Sequence, residues 1–399
     1  MKITLAATLR HYDKKNFIKD LLAGIIIMAV SIPISMGYAQ IAGLPAVYGL
    51  YGSVFPILIF ALFSTSPQFI FGVDAAPAAL IGSALLSLHI ESGSEEAMAV
   101  VPVLTFFVAL WLLAFYIMKA GKLVNYISAP VMGGFITGIC TTIILMQVPK
   151  LMGGSAGTGE FFELAEHIIK TAKDINWQSV VLGLAALVLL LVCKKLIPKF
   201  PMAVLLMIAG AGMTYLLPIE DWGVQTLASV DTGLPHWAVP DFSVISIREA
   251  VTISLSVAVV IMAETLLAEN NFAQKNGYRI NDNQEILAFS MGNFLAAFTG
   301  CCPINGSVSR TAMGEQYQAK TQLTGIIAGL SMIIVLVCAT GFIGYLPVPV
   351  LTAIVISALL GATEFDLAAR LFKVSRTECL IFFGAFFGVL LLGTINGVL

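Results

Sequence analysis

Charged side chains are scarce in this sequence. Asp, Glu, Lys and Arg make up 11% of its 399 residues, and hydrophobic residues make up 58%. Soluble globular domains carry about 25% charged and about 45–50% apolar residues. The shortage of charge therefore excludes a soluble globular domain. The net charge of -2 identifies no partner by itself, and no nucleic acid is expected to bind.

Metal-ligand spacing and a cleavable signal peptide are also missing. The six cysteines lie in or at the edge of apolar segments without metal-ligand spacing, so neither a metal site nor a cofactor is predicted. Adjacent Cys301 and Cys302 are interpreted as small apolar filler. Residues 1–20 are polar and basic, and the first apolar segment is too long for the core of a signal peptide.

Long apolar runs dominate the chain and predict an all-α polytopic membrane protein. Thirteen runs qualify as candidate spans. Several are shorter than the roughly 20 residues that a full crossing needs, which is typical of helices that stop near mid-membrane. The predicted spans are 21–41, 46–63, 74–90, 98–118, 127–148, 178–197, 201–217, 249–268, 284–299, 306–319, 321–342, 348–361 and 378–396.

The distribution of Lys and Arg predicts the orientation. A cytoplasmic N-terminal segment 1–20 puts sixteen of the 21 basic residues inside and four outside, with Arg310 left in the membrane. The first half, 21–217, has an odd number of spans. The second half, 248–399, therefore enters from the opposite side after the extracellular connection 218–247. We expect inverted repeats in a plasma membrane, here a bacterial inner membrane.

Two apolar segments are interrupted at matching places in the two halves. The first break is the run 71–77 and the second is the run 301–310, each roughly 50 residues after the start of an apolar segment. A helix that begins at mid-membrane presents unpaired N–H groups and about half a unit of positive charge. Two such helix starts that face each other form an anion site. A carrier for a small anion is therefore predicted.

The second break adds side chains that suit an oxyanion. Ser307 and Ser309 supply hydroxyls, and Arg310 supplies several donors in a fixed fork. Gly306 and Val308 belong to the same predicted substrate site. The alternative is that Arg310 pairs with a carboxylate and only locks helices together. A buried charge in an apolar segment favours the functional interpretation.

Glu264 is the second charge in an apolar stretch. A carboxylate in such surroundings can take up a proton near neutral pH, so Glu264 is the predicted proton-coupling residue. The alternative is a salt bridge to Arg310 or Lys320. The two interpretations overlap, because an ion pair that substrate breaks would itself couple the two ligands.

For Asp74 and Tyr38 the sequence leaves alternative roles open. A carboxylate at the first helix start is satisfied by capping that helix, yet the negative charge of Asp74 lies where an anion is expected. It can tune selectivity, bind a cation or point away. Tyr38 lies beside Pro33 and Gly37 in the first span; it either packs or lines the site with its hydroxyl.

Several motifs resemble those of the SulP anion permeases, the family that includes the mammalian sulfate transporters, pendrin and prestin. They occur in order over essentially the whole chain. The motifs are DLLAG at 20–24, Pro33 with Gly37-Tyr38-Ala39, AGLPAVYGLY at 42–51, KNGYRI at 275–280, NQE at 283–285 and NGSVSRTA at 305–312.

The resemblance implies fourteen spans in a seven-plus-seven inverted repeat, divided into a core and a gate domain. It implies that substrate binds between the third and tenth helices, that the first and eighth line the site, and that the core moves like an elevator against the gate. It places Tyr38, Ala75, Ser309 and Arg310 in the substrate site and Glu264 at the coupling position. A homodimer is expected for the full-length form.

Departures from the family pattern bear on the coupling ion and on length. Sodium-coupled bicarbonate members look to have Asp at the position of Glu264, with Thr four residues on. Ala268 stands at that second position here, which weakens a sodium site and favours a proton. Ile34 replaces the Gln of prestin-like members. The family normally continues into a fourteenth span and a STAS domain, whereas this chain stops at Leu399; a fragment or a natural short form is expected.

Several functions fit these features. The leading one is a proton-coupled symporter or exchanger of sulfate, bicarbonate or a dicarboxylate. A nucleobase carrier shares the architecture, although Arg310 argues against a neutral substrate, and a passive anion channel is a further alternative. An intramembrane enzyme would need paired catalytic groups, such as Ser with His or Lys. No such pair is evident, so no enzyme is predicted.

Overall fold

A computed structural model describes two compact units, each built from segments of both halves of the chain. The first unit comprises Met1–Met132 and Leu234–Ile333, and the second comprises Gly133–Gly233 and Ile334–Leu399. The predicted boundary at 218–247 between two sequence halves stays a prediction. The residues described are 4–10, 12–122, 128–157, 161–197, 200–227, 233–338 and 340–392.

Helices account for most of the described chain, with 3₁₀ turns at Ala7–Leu9, Lys14–Asn16 and Thr340–Tyr345. Two two-residue strands, β1 (Phe71–Gly72) and β2 (Asn305–Gly306), lie between them. The α-helices are α1 (Phe17–Ile41), α2 (Val47–Tyr51), α3 (Phe55–Phe63), α4 (Ala75–Ser87), α5 (Glu95–Ile117), α6 (Ala129–Leu151), α7 (Phe161–Thr171), α8 (Trp177–Leu196), α9 (Met202–Leu216), α10 (Ile247–Asn276), α11 (Asp282–Phe298), α12 (Val308–Gln316), α13 (Leu323–Cys338), α14 (Val348–Ala362), α15 (Phe365–Val374) and α16 (Arg376–Leu392).

Each predicted span coincides with a helix, or with the pair α2 and α3 in the case of 46–63. Within the described residues, six helical segments are long and apolar enough to cross a membrane. By contrast, α4 has 13 residues and α12 has 9. At about 1.5 Å per residue they are about 20 Å and about 14 Å long, against about 30 Å of hydrocarbon. The helices that follow the two breaks therefore cross only part of a bilayer.

Two helices went unpredicted, α7 and α15. The stretch 150–176 was predicted as a polar loop, and that prediction is wrong where α7 lies. A search for long apolar runs misses a short helix with one apolar face: Leu164 in α7 is fully buried, while Phe162 is 73% exposed. In α15, Leu371 is buried in the same way. The end of the predicted span 378–396 beyond Leu392 lies outside the described residues, and so does the run 393–397 that precedes the end of the chain.

Aromatic rings hold the first break inside the first unit. The ring of Phe71 in β1 stacks on Phe60 of α3, with centroids 4.7 Å apart, and on Phe289 of α11, with centroids 5.4 Å apart. All three side chains are buried. Since each such ring removes a large apolar area from solvent, this stack fixes where β1 lies and where α4 begins.

Two buried carboxylates fasten helix ends in the same unit. Asp20 near the start of α1 accepts a hydrogen bond from the Thr321 hydroxyl at 2.8 Å, just before α13. Glu285 in α11 accepts hydrogen bonds from the Ser64 hydroxyl at 2.8 Å and from the Thr65 N–H at 2.6 Å. A buried carboxylate is costly unless it is hydrogen-bonded. These partners therefore account for the burial of both side chains and tie the helices around the breaks together.

The second unit is held by helix packing and one short backbone contact. Helix α8 packs on α14, and α9 packs on both. The N–H of Val348 donates to the carbonyl of Gln225 at 2.8 Å, beside an isolated bridge between Thr226 and Pro347. Phe382 of α16 is fully buried in a cluster with residues of α15. These contacts hold α8 and α9 against α14, and α15 against α16.

Candidate functional site

The two breaks pair with each other in the first unit. Strands β1 and β2 are antiparallel, with Phe71 opposite Gly306 and Gly72 opposite Asn305. The Ser307 N–H extends the ribbon by donating to the Ile70 carbonyl at 2.8 Å. Because α4 and α12 each begin within three residues of this ribbon, their N-termini lie at one place. The sequence therefore predicted correctly that both breaks are followed by helix starts.

The start of α4 is capped by Asp74. Its Oδ1 accepts the Ala75 N–H at 2.7 Å, and its backbone is extended, as is usual at an N-cap. The capping alternative for Asp74 thus describes one of its contacts. Its other carboxylate oxygen, Oδ2, lies 3.6 Å from Nη2 of Arg310 in α12. Asp74 therefore connects the two helix starts.

The start of α12 is tied to β1 by Thr311. The Thr311 hydroxyl donates to the Ser307 carbonyl at 2.6 Å and accepts the Ile70 N–H at 3.0 Å. The Ser307 and Ser309 hydroxyls lie 3.4 Å apart. Ser307 is fully buried, Ser309 is half-buried, and Val308 is 37% exposed. The hydroxyls of the predicted site are therefore together at the first turn of α12.

Arg310 is fully buried with most of its donors uncommitted. Its Nη2 donates to the Val73 carbonyl at 2.5 Å. The 3.6 Å to Asp74 is too long for a hydrogen bond. No group among the described residues accepts a hydrogen bond from Nε or Nη1. The alternative in which Arg310 only locks helices together leaves these buried donors unsatisfied, at about 1–3 kcal/mol for each such group.

Tyr38 and Glu264 approach the same region from α1 and α10. Tyr38 is buried in α1 and near enough to Arg310 to interact with its charge. Glu264 accepts a hydrogen bond from the Asn305 amide at 2.6 Å. Asn305 in turn accepts a hydrogen bond from the Thr265 hydroxyl. The predicted coupling residue is therefore in contact with β2, two residues from α12.

Gly72 has no side chain and so leaves space for the Arg310 guanidinium. A Cβ on Gly72 would lie 2.9 Å from Nη1 and 3.4 Å from Nη2 of Arg310. Since the guanidinium is the far end of a flexible side chain, we expect Gly72→Ala to displace it without unfolding the protein. The apparent dissociation constant for the predicted oxyanion ligand should rise about tenfold or more, because one hydrogen bond to a charged group is worth about 1.5–3 kcal/mol. Equilibrium binding of radiolabelled oxyanions checks this prediction.

A matched control is Gly212→Ala in α9. No atom lies within 4 Å of the Cβ position of Gly212, and its backbone is helical. An unchanged oxyanion affinity in Gly72→Ala, with Arg310 intact, would contradict the assigned position of the guanidinium.

A known family matches almost the whole chain. The profile of the sulfate permease family covers residues 17–385. The chain belongs to the sulfate permease family. This membership confirms the resemblance seen in the motifs. Because the family consists of transporters, the protein is a membrane transporter of anions and not an enzyme.

Two of the curated relatives come from a bacterium and a plant. A probable sulfate transporter of Mycobacterium tuberculosis is 29% identical over 390 residues, which cover 98% of this chain and 70% of that protein. Sulfate transporter 2.1 of Arabidopsis thaliana is 30% identical over 405 residues, which cover 98% of this chain and 60% of that protein. The chain thus spans 60% to 70% of the length of these two relatives.

Solved structures share the fold. The structure of SLC26A9 superposes with a TM-score of 0.90 at 23% identity, covering 99% of this chain and 66% of that one. The transmembrane domain of the cyanobacterial bicarbonate transporter BicA gives 0.84 at 19% identity, covering 97% of this chain and 98% of that one. These likenesses confirm the all-α inverted-repeat fold class.

Sequence reasoning left out some residues that the structure brings into the site. The Val73 carbonyl accepts a hydrogen bond from Arg310, and Gly72 leaves space for the guanidinium because it has no side chain. Hydrogen bonds in the site are also made by Asn305, Thr265 and Thr311. Four of these residues could have been predicted from their position within or directly beside the two breaks: Gly72, Val73, Asn305 and Thr311. For Thr265 there was no indication in the sequence except that it follows Glu264 in an apolar helix.

Proposed function

We propose that this permease is a secondary active transporter that moves sulfate together with a proton. Bicarbonate and small dicarboxylates are the other anions of the same chemistry. The anion binds at the starts of α4 and α12 against Arg310, and Glu264 carries the proton. The substrate-binding residues proposed are Tyr38, Asp74, Ala75, Gly306, Ser307, Val308, Ser309 and Arg310.

The main support for this proposal is that buried Arg310 has hydrogen-bond donors without an acceptor among the described residues. A fully buried guanidinium keeps Nε and Nη1 without an acceptor among the described residues. An oxyanion supplies acceptors in the geometry of that fork. The helix starts add partial positive charge and N–H donors at the same place. A neutral nucleobase offers the guanidinium fork no charged acceptor, so an anion fits better.

The Asp74 carboxylate limits the charge of the site. It is engaged by the Ala75 N–H and lies 3.6 Å from Arg310. The Asp74 carboxylate offsets part of the Arg310 charge. The site therefore attracts a single small anion without holding it too tightly for release. A proton taken up by Glu264 removes a second negative charge from the region. Anion and proton binding therefore favour each other.

The names of relatives support sulfate as the first substrate to test. Two curated relatives are described as sulfate transporters, and one structural relative as a bicarbonate transporter. Motion of the unit that carries the site, in an elevator fashion, is the proposed means of alternating access. We propose a multi-pass location in a bacterial inner membrane, with a cytoplasmic N-terminus, and a homodimer in the full-length form.

Uptake by proteoliposomes tests the function. The purified protein is reconstituted, an inward proton gradient is imposed, and labelled sulfate, bicarbonate, succinate and uracil are offered in parallel. We expect saturable, gradient-driven accumulation of one anion, sulfate first, that a protonophore abolishes. Accumulation of uracil alone would overturn the anion assignment. Anion flux that neither saturates nor exceeds the equilibrium level would instead show a passive channel.

A further inference from the structure

Three hydrogen bonds join the proposed proton site to the proposed anion site. The Gly306 N–H donates to the Thr265 hydroxyl oxygen at 3.1 Å. The Thr265 hydroxyl donates to Oδ1 of Asn305, and Nδ2 of Asn305 donates to Oε2 of Glu264 at 2.6 Å. Thr265, Asn305 and Gly306 are buried. The chain of bonds runs in one direction and ends on the carboxylate.

We propose that Asn305, acting with Thr265, is a positioning residue that transmits the protonation state of Glu264 to the Gly306 N–H at the start of α12. This inference rests on the proposed function, since it says how the proton and the anion in that site communicate. It assigns a role to a side chain that touches neither the transported anion nor Arg310.

The direction of the hydrogen bonds follows from the chemistry of the groups. An ionised carboxylate only accepts, so the Asn305 amide must turn Nδ2 toward Glu264. Oδ1 then faces Thr265 and takes its hydroxyl proton. The lone pairs of the Thr265 oxygen are left for the Gly306 N–H. Because hydrogen bonds in a chain polarise one another, the negative charge at the end strengthens the hold on Gly306.

Protonation of Glu264 allows the hydrogen bonds of Asn305 to reverse direction. A protonated carboxyl group donates, so the Asn305 amide can turn Oδ1 toward it and Nδ2 toward Thr265. The amide then competes with Gly306 for the Thr265 oxygen, and the negative charge that polarised the chain is gone. The Gly306 N–H becomes available to an anion at the helix start. Proton binding therefore raises anion affinity, the sign that symport requires.

The backbone around Gly306 is built for such an exchange. In the ribbon, the neighbouring Ser307 N–H is committed to the Ile70 carbonyl, whereas the Gly306 N–H is directed to a side chain. A Cβ on Gly306 would lie 2.5 Å from Cγ2 of Thr265, so only glycine lets Thr265 come this close. Asn305 is also paired with Gly72, the residue against which the Arg310 guanidinium lies.

Binding of radiolabelled sulfate, measured on either side of the wild-type pH midpoint, tests the inference. We expect the wild-type affinity to change about 5- to 150-fold between the two pH values, the usual range of coupling between sites. In Asn305→Ala and in Thr265→Val the change should fall to within about twofold. Thr265→Ser keeps the hydroxyl and should keep the pH dependence. Asn270→Ala is the matched control, since this asparagine of α10 bonds to Leu266 and Asp282.

Each outcome has one meaning. If wild type and the control are pH-dependent and Glu264→Gln is not, while Asn305→Ala and Thr265→Val keep the full dependence, the relay is overturned and the proposed function stands. If Glu264→Gln keeps the dependence, or wild type shows none, coupling through Glu264 fails and the relay fails with it. Sulfate binding at low pH and thermal unfolding show whether a variant is folded. If Asn305→Ala does not fold, the result for Thr265→Val decides the test.

Discussion

Arg310→Ala should lose sulfate binding while the protein stays folded. The guanidinium offers two donors, Nε and Nη1, that no described group accepts, and an oxyanion would take both. With each charged hydrogen bond worth about 1.5–3 kcal/mol, the expected loss is about 3–6 kcal/mol, which is about 10²- to 10⁴-fold in dissociation constant. Equilibrium binding of labelled sulfate to purified protein measures this loss directly.

The fold should survive because Arg310 contributes little that the scaffold needs. Its Val73 hydrogen bond is lost, but Asp74 still caps α4 and Thr311 still ties α12 to β1. Arg279→Ala, an exposed arginine, is the matched control and should bind as wild type does. Arg310→Lys keeps the charge without the fork and should bind weakly. Wild-type affinity in Arg310→Ala would refute the assigned site.

Glu264→Gln should uncouple transport from the proton gradient. Glutamine keeps the shape of the side chain and can still accept the Asn305 hydrogen bond, but it cannot gain or lose a proton. A pH difference of one unit can drive about tenfold accumulation for each coupled proton. We expect that accumulation to disappear in the variant, while counterflow exchange of labelled for unlabelled sulfate continues. Uptake and counterflow in the same proteoliposomes provide the comparison.

The control for this variant is Glu249→Gln, because Glu249 lies on the same helix but in its exposed first turn. It should retain proton-driven accumulation at the wild-type level. If Glu264→Gln also retained it, the proton would have to be carried by another group, and the coupling role of Glu264 would be withdrawn.

The fold was predictable wherever a physical constraint is continuous along the chain. A span in hydrocarbon must be apolar over its length, so every long helix left a visible run. Helices α7 and α15 escaped because only one face of each packs, as Leu164 and Phe162 show in α7. The short helices α4 and α12 were indicated by interruptions of the apolar pattern at Gly72 and Gly306.

The sequence identified residues of the candidate site by their type, but it did not identify their contacts. Arg310 and Glu264 were identified because a charged side chain in an apolar membrane segment is energetically costly and usually functional. The pairing of β1 with β2, by contrast, joins residues more than 200 positions apart, and no local pattern determines that register. The same holds for Asn305, whose role depends on Glu264 and Thr265 of another helix. Such side chains are ordinary polar residues until the fold brings them together.

A structure of the protein with bound selenate tests the central claim most directly, since selenium can be located by its anomalous scattering. The account predicts one selenate at the starts of α4 and α12, with oxygens within about 3 Å of Nε and Nη1 of Arg310. Selenate bound elsewhere, with Nε and Nη1 of Arg310 still without an acceptor, would contradict it.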